Sequence, residues 1–217
     1  EKLDIINAIK LTGRTSKKIG FGIVNTMTKP GFAIFEDTLA DVRRNIETQS
    51  FTNYNVIAFD KSLKNNSFIS LINTNLTKDK ANYISNVTGT EFKFSNSANS
   101  YSVSGIGALS QLYDTINGRE MGFKSNFYID KTSGKFLFRI GNEIISENYD
   151  QNKMGYLPFV NEITNLAKFE YNIYQPFWVL LSLKNSIESR YSTLFYPVSF
   201  TDFRTSVNSE ALFANQF

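Results

Sequence analysis

Between Arg119 and Ile145 the chain reads REMGFKSNFYID, then KTSG, then KFLFRIGNEII, and this stretch constrains the fold more than any other. In its first arm Met121, Phe123, Phe127 and Ile129 alternate with Lys124, Asn126, Tyr128 and Asp130. In its second arm Phe136, Phe138, Ile140 and Ile144 alternate with Arg139 and Glu143, Leu137 and Gly141 being the apolar exceptions. Side chains of a strand point to opposite faces with period two, so each arm has one greasy face and one largely charged face. Lys131 to Gly134 is a short polar turn ending in glycine, which suits a hairpin. Each arm is about ten residues long, close to the roughly 9–11 that cross a bilayer as a tilted strand. The pattern therefore raises the expectation of a membrane barrel.

Composition narrows the alternatives. With 0 Cys and 0 His, thiol chemistry, Cys/His metal sites and every His-based triad are excluded. The net charge of +3 comes from scattered residues and not from the basic patch or stripe that nucleic-acid binding requires. No segment approaches the 18 or so consecutive apolar residues of a transmembrane helix; the longest such run is Phe177 to Leu181. A mean hydropathy of −0.24 does not argue against a barrel, because alternating strands hide their apolar face from window averages. The abundance of Asn, Ser and Thr suits turns, loops and a wet lumen. The chain starts at Glu1 without a charged-then-apolar leader and is read as a mature or partial chain.

Along the chain the expected elements are strands and turns, ten or eleven strands in all. Strands are expected over roughly 4–14, 19–28, 50–61, 67–78, 89–97, 101–112, the two arms described above, 166–174, 177–189 and 190–204. Gly20 and Gly22 share a face with Val24, leaving room there for a plug or a neighbouring loop. Long connections are expected at 29–48, 79–87 and 147–165, and short turns at 16–18, 64–66 and 99–100. Short turns on one side and long loops on the other are the asymmetry of an outer-membrane barrel. Residues 210–217 are too short to assign.

The polar residues expected to face a lumen are Lys10, Arg14, Lys124, Asn126, Arg139, Glu143, Lys168 and Glu170, with Lys184 and Glu188 beside them. Phe123, Phe127, Phe136, Phe138, Phe169 and Tyr171 are expected to face lipid. Tyr171, Tyr174, Trp178, Tyr191 and Tyr196 are candidates for an interfacial aromatic belt or for an ordinary core. Arg139 and Glu143 lie roughly 13 Å apart along a strand, so they are expected to pair across strands and not with each other. Glu143 and Glu170 could be read as a glycosidase pair, yet any barrel lumen offers such carboxylates. Asp150 to Gly155 resembles the start of a calcium loop but lacks the bidentate Glu. Gly105-Ile-Gly107 lacks the helix a phosphate site needs, and Asn86-Val-Thr88 matches a glycosylation acceptor that arises readily by chance. No catalytic residue, metal ligand or cofactor is expected.

Several segments, taken in order, carry a family resemblance. They are Ile6 to Thr15, Ile19 to Ile23, Asn25 to Thr28, Ser67 to Asn75, Asn86 to Gly89, Ala108 to Gln111, and Tyr149 to Tyr156 with Asn161. Together, over roughly residues 5 to 185, the chain resembles an uncharacterised outer-membrane β-barrel family of Bacteroidota that follows a family-nine-like carbohydrate-binding domain. Thr90 stands where that family has Asp, and Lys153-Met154 where it has Asp-Leu. The sugar-binding-like domain and the first barrel strands have no counterpart here, and the family has no catalytic residues to carry over.

The resulting expectation is an all-β, antiparallel transmembrane β-barrel, part of a larger barrel. Residues 1–217 form one barrel domain, incomplete at the N-terminus and open to being incomplete at the C-terminus. The expected role is a non-enzymatic component of the cell outer membrane: a pore, a surface-binding barrel or a subunit of an outer-membrane complex. Its expected partners are outer-membrane lipid, other outer-membrane proteins and surface carbohydrate, without nucleic acid. The alternatives are a carbohydrate-binding or carbohydrate-hydrolase-associated barrel, and a soluble β-sandwich binding module.

Overall fold

The computed structural model describes residues 4–37, 42–79, 83–115, 118–151 and 159–214. Within them the regular elements are all strands: β1 (Ile5–Arg14), β2 (Ile19–Thr28), β3 (Gly31–Asp37), β4 (Val42–Gln49), β5 (Thr52–Ser62), β6 (Phe68–Lys78), β7 (Tyr83–Ser95), β8 (Tyr101–Asp114), β9 (Gly118–Lys131), β10 (Phe136–Ile145), β11 (Glu162–Ile173), β12 (Leu180–Thr193) and β13 (Phe200–Phe213). Eleven of them form one antiparallel sheet in chain order, interrupted only by β3–β4, which pair with each other alone. The sheet is not closed: β1 and β13 are its two edges, each paired on one side. The all-β antiparallel expectation is met by an open sheet of eleven strands.

The connections differ at the two ends of the sheet. At one end all are short, covering 15–18, 63–67, 96–100, 132–135 and 174–179. At the other lie 29–51 and 146–161, with shorter links at 79–82, 115–117 and 194–199. Two of the three expected long loops are therefore present, and both differ in detail. The first contains the β3–β4 hairpin, so Glu36, Arg43, Arg44 and Glu47 are strand residues. The last is shorter than expected, because β11 begins at Glu162.

The expected loop over 79–87 is corrected, because β7 begins at Tyr83. Asn86 reads as a loop former, but here it bonds across the ladder. Asn73 Nδ2 donates to Asn86 Oδ1 at 3.1 Å, and Asn86 Nδ2 donates back to Asn73 Oδ1 at 3.2 Å. The strand expected over 190–204 is also corrected: β12 continues to Thr193, the chain turns over 194–199, and β13 starts at Phe200. Leu194, Tyr196 and Val198 alternate like a strand, yet Pro197 has no N–H for a ladder and falls in the turn. At the other end of β12, Phe177 and Leu180 exchange backbone hydrogen bonds around a tight turn. Trp178 sits at its tip with φ 50° and stands out from the protein, so that strand starts at Leu180 and not at Phe177.

Candidate functional site

Residues directly opposite each other in an antiparallel ladder share a face, so the register assigns every side chain to one of two sides. Lys10, Arg14, Lys124, Asn126, Arg139, Glu143, Lys168 and Glu170 fall on one face, together with Lys184 and Glu188. Phe123, Phe127, Phe136, Phe138, Phe169 and Tyr171 fall on the other. In the eleven-stranded sheet the apolar face carries charge only at Lys61, Arg119 and Lys131, all at strand ends. Two of these reach back to turn carbonyls. Lys131 Nζ donates to Ser133 and Phe136 oxygens at 2.8 and 2.6 Å, and Lys61 Nζ donates to the Lys17 oxygen.

Burial runs opposite to that of a water-soluble sheet. The buried non-glycine strand residues, among them Thr52, Ser102, Asp130, Thr164 and Ser192, lie on the charged face. Large apolar side chains such as Leu11, Phe59, Phe127, Phe136 and Ile187 are exposed on the opposite face. The charged face is thus the enclosed one.

On that face, between β9 and β12, Arg139, Lys168 and Arg190 are each paired locally. Arg139 Nε donates to Asp130 Oδ1 at 2.6 Å, and its guanidinium lies 5.2 Å from the centroid of the Tyr128 ring. The Tyr128 hydroxyl donates to Glu143 Oε1. Arg139 and Glu143 therefore each engage β9 and not each other, as their spacing predicts. Gly141 makes this possible: a Cβ there would lie 2.1 Å from Cδ1 of Tyr128. Lys168 pairs with Glu170 at 2.6 Å, and Arg190 with Glu188 at 2.9 Å. Glu170 lies opposite Leu137, so the register sets it roughly 20 Å along the strands from Glu143. That exceeds the 6.5–9.5 Å of an inverting glycosidase, and the two carboxylates do not form a catalytic pair.

On β1 and β5, Arg14 Nη2 meets Asp60 Oδ2 at 2.7 Å, over Gly20. The space expected over Gly20 is filled by this ion pair, whereas Gly22 stays open, with Thr12 Cγ2 at 3.8 Å from an added Cβ. Asn126 accepts the Ile106 N–H through Oδ1 at 2.8 Å. Of the proposed calcium loop, Asn152 to Gly155 lies outside the described residues. Gly105-Ile-Gly107 and Asn86-Val-Thr88 both lie inside strands.

The sequence did not reveal that the connection after β10 turns inward onto the enclosed face. Ser146 Oγ accepts the Phe123 N–H at 2.8 Å, and the Asp150 N–H donates to Ser110 Oγ at 3.1 Å. Tyr149 is buried, and its hydroxyl donates to Gln151 Oε1 at 3.0 Å. Burial pushes the Tyr149 phenol pKa up, with the Asp150 charge adding to it. Gly122 lies directly beneath, where a Cβ would come within 2.2 Å of the Tyr149 nitrogen. The one available signal was a glycine among the charged-face positions of β9. Gly122→Val is expected to displace this segment at a cost of about 1–3 kcal/mol, the usual range for overpacking. Limited proteolysis reads it out, as faster cleavage between Ser146 and Gln151 than in the parent.

Beside this segment the enclosed face changes character. Over β2 and β5–β8 it holds a hollow of about 630 Å³ with a mostly apolar lining, Gly22, Ala58, Ile72, Gly89 and Ala108 forming its floor. Tyr149 and Gln151 border it. The arrangement offers an apolar recess beside a largely paired ionic surface.

No curated protein and no solved structure matches the chain. A family model described as a domain of unknown function, DUF5916, matches residues 1–217. A match over that whole length means that this chain belongs to the DUF5916 family.

Proposed function

We propose that the chain forms part of the wall of an outer-membrane β-barrel and acts as a non-enzymatic envelope component. The observation that carries this reading is the inverted sheet: its large apolar side chains are exposed on a face free of charge away from the strand ends, while polar side chains are buried on the other face. In water an apolar face of eleven strands would far exceed the few hundred Å² that a soluble monomer leaves open. A sandwich would cover it with a second sheet. Among the described residues the only other sheet is the β3–β4 hairpin, and no strand of it packs on the eleven.

Strand length and the asymmetry of the connections also support a barrel. Aromatic residues stand toward both ends of the apolar face, with Phe136, Phe169 and Tyr171 at the short-turn end and Phe123 and Tyr191 at the other. Such paired girdles belong to the two interfaces of a bilayer. Within the barrel reading, the inward segment at Tyr149 favours a partly filled interior, and hence a binding or scaffold role over an open pore. The resemblance to a Bacteroidota outer-membrane family points the same way.

The decisive experiment is expression with an export signal followed by alkaline carbonate extraction and density flotation. The barrel reading expects the chain to float with lipid and to need detergent for release. A monodisperse, detergent-free soluble chain would overturn it.

A further inference from the structure

The hollow beneath Tyr149 is lined unlike the rest of the enclosed face. One register row crosses six strands: Gly22, Ala58, Ile72, Gly89 and Ala108, ending at Lys124. Adjacent strands lie about 4.8 Å apart, so this row runs roughly 24 Å from Gly22 to Lys124. A 30 Å hydrocarbon core is two acyl chains deep, so the floor is long enough for one chain and its polar head. The volume, about 630 Å³, lies within the 300–1,000 Å³ of small-molecule sites.

Two further observations single out this recess. Ile72 and Ile106, which line it, remain 44 % and 36 % exposed although they lie on the enclosed face. Exposed isoleucines facing into a hollow gain free energy from an apolar occupant. Lys124, at the end of the row, has no ion-pair partner among the described residues, whereas Arg139, Lys168 and Arg190 on the same face are each paired. Of the two acids that border the hollow, Asp60 is neutralised by Arg14. Glu91 stands opposite Ile106, one row toward the short-turn end and off the line of the floor.

We propose that this recess is a binding site for a long-chain carboxylate: the acyl chain lies along the Gly22–Ala108 row and the carboxylate meets Lys124. The site is a property of the enclosed face and goes beyond the barrel assignment.

The test uses the full chain, purified in amphipathic polymer, with cis-parinarate as a fluorescent long-chain carboxylate and its methyl ester as the uncharged control. Saturable binding of parinarate is expected. Ala108→Phe, which fills the recess, should weaken both probes about tenfold or more. Lys124→Gln should weaken parinarate about tenfold, close to 1.4 kcal/mol, and leave the methyl ester unchanged. Because Lys124→Gln leaves the recess unfilled, it keeps the proposal falsifiable even if Ala108→Phe fails to fold. Absence of saturable binding, or parinarate binding indifferent to Lys124→Gln, would overturn the proposal. Flotation of the same preparation separates the two readings. A chain that floats but does not bind loses only this site, and a soluble chain that binds loses only the barrel.

Discussion

Phe127→Arg is expected to destabilise the lipid-inserted chain by about 2–4 kcal/mol, the range for a cation placed at mid-depth on the outer face of a barrel. Phe127 lies in the middle of β9, opposite Gly105 on β8 and Asn142 on β10, and away from the charged strand ends at Arg119 and Lys131. A guanidinium there cannot reach a turn carbonyl as Lys131 does and must stay in the hydrocarbon or thin the bilayer around itself. Ser186→Arg is the matching control. Ser186 faces the enclosed side between Glu170 and Asn208, and an added cation there should change stability by no more than about 0.5 kcal/mol. Urea titration of both variants refolded into lipid vesicles reports the difference. In a water-soluble sheet the order reverses, because arginine on an exposed apolar face would improve solubility without loss of stability. The contrast between the two positions therefore tests the assignment of faces as well as the membrane.

Those faces were legible because period-two alternation depends only on the pleat. Once Phe123, Phe127, Phe136 and Phe138 are set against Lys124, Arg139 and Glu143, any strand register consistent with the hairpin keeps the two sets apart. Boundaries were less legible where polar residues have two uses. Asn86 reads as a turn former, and only its reciprocal bonds with Asn73 make it a ladder residue. Leu194, Tyr196 and Val198 alternate without being a strand, since Pro197 removes the donor that pairing would need. The inward segment was not legible, and of the recess only the space over Gly22 was. They depend on contacts of Asp150 with β8 and of Tyr149 with β9, and a bare Gly122 does not say which loop will cover it.

Arg139→Met is the second substitution with a large expected effect. Its partner Asp130 is buried, with only 8 % of its side chain exposed, so removing the guanidinium strands a desolvated carboxylate on the enclosed face. Breaking a fully buried pair costs about 3–5 kcal/mol; with Arg139 itself half exposed, the expected loss is about 2–3 kcal/mol. Asp130→Asn combined with Arg139→Met removes the stranded charge and should recover most of that loss. The single substitution also takes away the cation above the Tyr128 ring, an effect of order 0.5–1 kcal/mol that the double variant does not restore. Tyr128 continues to donate to Glu143 in every variant, which holds the ring over Gly141 and keeps β9 and β10 in register. Equilibrium unfolding of the two variants beside the parent separates these contributions. Equal destabilisation of the single and double variants would mean that the pair acts through packing of the Arg139 side chain, and not through compensation of the buried carboxylate.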